Sequence, residues 1–257
     1  MNLLGIDIGG SGIKGAVVDT QSGELLQKRV RLETPDKPVP EQVLRVVGQL
    51  CERLPVDGPI GCGFPGVIRG QRILTAVNLH ESWVGVDFGE MIERELGRPA
   101  WLLNDADAAG LAEFSWGAGK GRKGLVIVLT IGTGIGTAFF SEGRLLANTE
   151  IGHIKMLDKG SGKITTAEQY VSDLVRKRDD LKWPDWGKRL NRYLKYLDSL
   201  FWPELFILGG GVAKKFDKFA GSLKLETEVV PAQLLNQAGI AGAALAARQN
   251  LAARAAP

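Results

Sequence analysis

Cysteine is almost missing from this 257-residue chain: Cys51 and Cys62 are the only two, and they form no CxxC pair. Neither a disulfide framework nor a cysteine zinc site is therefore expected, and both thiols are expected to be reduced and buried. No apolar run comes near the roughly 18–20 residues that a membrane-spanning helix needs. The opening Met1-Asn2-Leu3-Leu4-Gly5-Ile6-Asp7 also lacks the basic-then-apolar order of a signal peptide, so a cytoplasmic protein without a membrane partner is expected. Charge of one sign is scarce as well. The 32 Lys and Arg against 29 Asp and Glu leave +3, too little to announce nucleic acid. With 44% hydrophobic and 24% charged residues, disorder, collagen and coiled coil are excluded, and the length suffices for one large domain or two modest ones.

The small net charge is unevenly spread. Residues 1–106 hold 11 basic and 14 acidic residues, residues 107–257 hold 21 and 15, and within 155–195 the count is 11 against 6. That stretch either presents a positive face to an anion or is a solvated surface, which charge alone favours. Along the chain, Leu3–Ile8 and Ala16–Asp19 read as two strands around Gly9-Gly10-Ser11-Gly12, and Val30–Leu32 extends the pattern. Apolar residues at Val43, Val46, Val47, Leu50 and Leu54 mark a helix. Strands follow at 60–64 and 100–103, short helices at 91–96 and 106–116, and turn signals between 67 and 90. A second cycle opens with the apolar run Leu125–Leu129. Its continuation, Thr130-Ile131-Gly132-Thr133-Gly134-Ile135, echoes Asp7-Ile8-Gly9-Gly10-Ser11-Gly12-Ile13 once one turn residue is dropped. Helices are predicted over 166–178, along 190–201 with a basic outer side, and from Ala238 onward.

Three glycine turns follow apolar strands: Gly9-Gly10-Ser11-Gly12, Gly132-Thr133-Gly134 and Gly209-Gly210-Gly211. Glycine lets backbone N–H groups approach an anion, and Ser11 and Thr133 add hydroxyl donors, so together the turns point to a phosphate clamp. Gly10, Gly12 and Gly15 also satisfy GxGxxG, but a dinucleotide fingerprint must open a helix and here a β-prone stretch follows. The run Gly117–Lys123 lacks P-loop spacing and is a basic loop. Asn104-Asp105-Ala106-Asp107 stands where a strand gives way to a helix. An Asp there is either an N-cap or, near phosphate turns, a carboxylate able to take a proton from a hydroxyl nucleophile. Glu150-Ile151-Gly152-His153 adds an acid and an imidazole suited to sugar hydroxyls.

In order and spacing, Asp7-Ile8-Gly9-Gly10, Asn104-Asp105, Gly132–Gly136, Glu150–His153 and Gly209–Val212 resemble the ROK family of sugar kinases over nearly the whole chain. Within that family the longer stretches Gly9–Gly15, Asn104–Gly110, Asn148–His153 and Gly209–Lys215 look most like polyphosphate glucokinases. The resemblance implies an α/β, actin-like (ribonuclease H-like) two-domain sugar kinase fold with a central cleft. A smaller N-terminal α/β domain would span 1–106, with the terminal helix of about 238–257 packed back on it, and a larger C-terminal α/β domain would span 107–237. Many ROK proteins carry a cysteine-rich zinc motif after the Gly-His pair. No Cys follows Cys62 here, so no structural zinc is expected.

The activity implied is transfer of a terminal phosphoryl group from inorganic polyphosphate to the 6-hydroxyl of glucose, with Asp105 as catalytic base. Asn104, Glu150, His153 and Glu168 would bind sugar, with Asn78 and the Pro65-Gly66 turn beside them. Asp7, Gly9, Gly10, Ser11, Lys14, Thr130, Gly132, Thr133, Gly134, Gly209, Gly210 and Gly211 would surround the phosphates, and Mg²⁺ would be held near Asp7 through water. An ATP-dependent glucokinase or hexokinase is the alternative. A non-catalytic sugar-sensing protein is the other; the family's repressors carry an N-terminal helix-turn-helix, for which the first strand at Leu3 leaves no room. The expected partners are glucose and polyphosphate or ATP; a homodimer is compatible with the resemblance.

Overall fold

The computed structural model describes the chain except residues 77–78, 159 and 256–257. The chain forms two compact units, Met1–Ala112 with Gln237–Pro257, and Glu113–Asn236. The division falls inside a helix, six residues beyond the expected boundary.

In the first unit β1 (Asn2–Gly9), β2 (Gly12–Asp19) and β3 (Val30–Leu32) precede α1 (Pro40–Arg53) and β4 (Ile60–Phe64). A small hairpin, β5 (Ile68–Arg69) and β6 (Arg72–Ile73), is followed by α2 (Phe88–Leu96), β7 (Ala100–Asn104) and α3 (Asp105–Trp116). The sheet order is β3-β2-β1-β4-β7. The first three strands are antiparallel, and β1, β4 and β7 run parallel. Helix α1 starts with Pro40, whose missing N–H costs nothing in the first turn, and buries Val43, Val46, Val47 and Leu50 at helical spacing. Helix α2 begins at Phe88, three residues before the expected start, because the Asp87 side chain accepts from the Glu90 N–H and caps it there.

The second unit repeats this plan. It contains β8 (Val126–Ile131), β9 (Ile135–Ser141), β10 (Arg144–Leu146), the hairpin β11 (Lys155–Leu157) and β12 (Ile164–Thr166), α4 (Ala167–Val171), α5 (Asp173–Arg178), α6 (Trp183–Phe201), β13 (Leu205–Gly210) and β14 (Glu228–Pro231). Its sheet order, β10-β9-β8-β13-β14, matches the first sheet strand for strand, with β8, β13 and β14 parallel. The echo between residues 7 and 130 is structural: Ile8 pairs with Ile13 and Ile131 with Ile135, so the dropped residue belongs to the turn. The single helix expected over 166–178 is two. Ser172 ends α4, and its hydroxyl accepts from the Val175 N–H to start α5. Helix α6 starts at Trp183 and buries Trp186, Leu190, Tyr193, Leu194 and Leu197; each such large apolar group is worth about 1.5–3 kcal/mol.

Helix α7 (Ala238–Ala255) returns to the first unit and lies on β1 and β4. Its contact is backbone on backbone: a Cβ at Gly5 would fall on the Ile240 carbonyl and one at Gly61 on the Ala243 carbonyl. Cys62 is buried in this unit and Cys51 only partly, both as free thiols; burial pushes the Cys62 thiol up. Among the described residues, no helix is long and apolar enough to cross a membrane.

Candidate functional site

In the first unit the predicted residues gather at the carboxyl ends of the parallel strands, where open α/β sheets present ligand sites. Asp7, Gly63 and Leu103 lie in register across β1, β4 and β7, one residue short of Asn104. Asp7 faces Lys14 across the hairpin, and Lys14 Nζ donates to Asp7 Oδ2 at 2.9 Å. The lysine expected at phosphate is thus tied to the carboxylate expected near the metal. The turn Gly9–Gly12 is held from outside by two residues that sequence reasoning missed. Thr34 Oγ1 donates to the Gly9 carbonyl at 2.5 Å and Arg31 Nη2 to the Ser11 carbonyl at 2.6 Å. A Cβ at Gly12 would meet the Arg31 guanidinium at 2.6 Å, so any larger residue there would displace Arg31 from the turn. Both carbonyls are spent on side chains, while Gly10 and Ser11 stay exposed.

Asn104 is buried and settles the capping question. Its Oδ1 accepts from the Ala106 and Asp107 N–H groups at 2.8 and 3.1 Å, and its amide donates to the Gly66 carbonyl at 3.1 Å. It is the N-cap of α3 and ties the Pro65-Gly66 turn to it. Asp105 is the first residue inside the helix, half-buried, with Oδ1 accepting from the Ala106 N–H at 2.8 Å. A Cβ at Gly63 would lie 3.6 Å from Asp105 Cα, an ordinary contact distance, which places the first turn of α3 beside β4. Asn78 lies outside the described residues.

In the second unit Thr130 pairs with Gly136 on one side and Gly209 on the other, so two glycine turns stand side by side at one end of the sheet. The Gly132 N–H donates to the Gly134 carbonyl at 2.9 Å, and the Gly132 carbonyl accepts from the Asp173 and Leu174 N–H groups at 3.0 and 3.2 Å. Thr133 is exposed at the tip. Gly210 takes a left-handed φ of 76° and leaves no room for a Cβ against Ile131.

Glu150, His153 and Glu168 are brought together around Ile135. The Ile135 N–H donates to Glu168 Oε2 at 3.1 Å, and a Cβ at Gly152 would strike the Ile135 carbonyl, which seats the Glu150–His153 turn against β9. Thr137 Oγ1 donates to the Thr149 carbonyl, and the Thr149 hydroxyl returns a bond to the Thr137 carbonyl at 3.0 Å. His153 Nδ1 lies 3.5 Å from Glu150 Oε2. Burial pushes the Glu150 carboxyl above the usual glutamate range; His153 opposes the rise and the Glu168 charge adds to it.

In the basic stretch 155–195, five cations of the described residues are held in ion pairs. Arg176 and Lys177 pair with Asp173 at 2.7 and 2.8 Å, Arg178 and Arg189 with Asp179 at 2.8 and 3.2 Å, and Lys188 with Asp185 at 2.8 Å. Among the described residues, no group of three or more His, Cys, Asp or Glu gathers to hold a metal.

Residues 3–174 match the family model described as the ROK family. The chain is 43% identical over 244 residues to a polyphosphate glucokinase of Mycobacterium tuberculosis, covering 95% of this chain and 90% of the relative. Its structure is similar to that of an inorganic polyphosphate/ATP-glucomannokinase from Arthrobacter sp. strain KM, with a TM-score of 0.87 and 44% identity over 97% of this chain and 99% of the other. It is also similar to a ROK family glucokinase from Streptomyces griseus in complex with glucose and AMPPNP, with a TM-score of 0.81 and 26% identity over 97% of this chain and 100% of the other.

Proposed function

The chain belongs to the ROK family, and on that premise we propose that it transfers the terminal phosphoryl group of inorganic polyphosphate to the 6-hydroxyl of glucose. The observation that carries the reading is the junction of β7 and α3: Asn104 caps the helix, and Asp105 follows as the first residue of its first turn, the position that would take the proton. The glucose 6-oxygen attacks the terminal phosphorus, the bridging P–O bond breaks, the hydroxyl proton passes to Asp105, and the donor chain leaves one phosphate shorter. Gly10-Ser11, Thr133 and Gly210-Gly211 are the exposed positions of the three glycine turns, and backbone N–H groups there would meet phosphate oxygens. Asn104 keeps amide donor capacity for sugar, and Glu150, His153 and Glu168 accept from or donate to its hydroxyls, with Pro65-Gly66 alongside.

Asp7 suits Mg²⁺ of the kind that keeps most of its water: it is one hard carboxylate, 25% exposed, and among the described residues it belongs to no group of three or more metal-binding side chains, so phosphate oxygens and water would supply the rest. When bound, Mg²⁺ would offset charge on the phosphates. The side chains argue against a structural zinc, so metal analysis of the purified protein is expected to find no stoichiometric zinc; one tightly held zinc per chain would overturn this.

Turnover of glucose with Mg²⁺ and each donor, at two salt concentrations, tests the assignment. Higher kcat/KM with polyphosphate is expected; higher efficiency with ATP, the second donor suggested by the named relatives, would reverse it. The raised Glu150 carboxyl adds a pH dependence. Below its pKa the protonated side chain loses capacity to accept from sugar, so KM for glucose is expected to rise as pH falls, beginning above the pH at which an ordinary glutamate titrates. Stability moves the other way, since the folded chain holds this proton more tightly and loses that advantage as pH climbs past the unfolded value. In Glu150→Gln the acid rise in KM should vanish, with KM already raised roughly tenfold at neutral pH; a persisting acid limb would assign it elsewhere.

A further inference from the structure

We propose that Lys214, Lys215 and Lys218 form a subsite for a long inorganic polyanion, the track that the polyphosphate chain follows beyond the Gly209–Gly211 turn. This rests on the donor reading above. The three lysines sit on Ala213–Lys218, a kinked 3-10 segment that begins directly after that turn. Strand β13 delivers it at the end of the sheet where Gly209 and Gly210 stand beside Thr130 and Ile131.

Val212, Ala213 and Phe219 are buried, and Phe216 packs on the same core, so the backbone is anchored while the lysine side chains are not. All three lysines are exposed, and none pairs with a described carboxylate. Asp217 is the only acid in the segment. The cations of α5 and early α6, more numerous in sequence, are instead engaged by Asp173, Asp179 and Asp185. An ammonium on a flexible stem is a point charge with rotatable donors, suited to a repeating phosphate chain that can slide in register. ATP offers only three phosphates before its ribose and adenine, so it ends short of such a track.

The test combines Lys214→Ala, Lys215→Ala and Lys218→Ala in one protein and compares long-chain polyphosphate, tripolyphosphate and ATP as donors. The exposed positions should leave the fold intact, which an unchanged kcat with ATP verifies. KM for the long chain is expected to rise about tenfold or more, and the slope of log(kcat/KM) against log salt to fall by roughly two, as expected for about three lost charge contacts. KM for ATP, tripolyphosphate and glucose should stay within about twofold. An unchanged long-chain KM and salt slope, or an equal loss with ATP, overturns the proposal. Titration of long-chain polyphosphate without glucose makes the same comparison without turnover. A wild-type protein that binds the chain but transfers nothing would break the functional reading, while the titration still decides the lysines.

Discussion

Replacing Asp105 by Asn is expected to lower kcat about a thousandfold while leaving the glucose Kd within about tenfold, because general-base catalysis typically contributes a factor of about 10²–10⁴. The substitution is nearly isosteric and keeps an oxygen for the Ala106 N–H, which Asp105 Oδ1 accepts at 2.8 Å. Helix α3 keeps its true cap, since Asn104 supplies it. What is lost is the group that takes the hydroxyl proton, and the loss should fall on kcat rather than on sugar contacts. Steady-state rates together with glucose titration by calorimetry separate the two. A variant retaining more than about a tenth of kcat, with its pH profile unchanged, would reduce Asp105 to a helix-terminal acid.

The largest expected effect on stability is at Glu113, a buried carboxylate that reacts with nothing. Its oxygens accept from the backbone N–H groups of Ala118, Gln233 and Leu234 at 3.2, 3.0 and 2.6 Å. Glu113→Ala removes the acceptor of all three part-buried donors, and a hydrogen bond to a charged group contributes about 1.5–3 kcal/mol, so a loss of about 3 kcal/mol or more is expected. In a chain of this size that lowers Tm by roughly 6–12 °C. Glu113→Gln keeps one acceptor oxygen and should lose less. Thermal and urea unfolding read both variants; a loss under about 1 kcal/mol in the Ala variant would mean that water or other acceptors replace the carboxylate.

The duplicated strand, glycine turn and strand was legible because alternating β-prone residues and glycine carry their information within a few positions. The matching order of the two sheets followed from it. Around Asn104-Asp105 the sequence placed both residues at the strand-to-helix junction, but which one capped depended on a side-chain choice that neighbouring acids and amides both permit. Arg31 and Thr34 could not be read as guardians of the first turn, since they reach it from 20 and 25 residues away in sequence. The charge count over 155–195 is silent on pairing, and five of the cations there are held by Asp173, Asp179 and Asp185. Glu113 left one visible signal: a lone acid following the small, apolar stretch Ala108–Ala112 after Asp107.

The return of α7 to the first unit sets an order of events during synthesis. The second unit is one uninterrupted stretch, Glu113–Asn236, so all its strands have emerged before α7 has. The first unit begins to emerge earlier yet stays unfinished longer. Until residues 238–255 leave the ribosome, the bare backbone at Gly5 and Gly61 has nothing against it, and one face of β1 and β4 remains open to water. A nascent chain of this protein therefore completes its later-made half first, and it carries an uncovered sheet for that interval, the kind of surface that chaperones bind and that aggregation exploits.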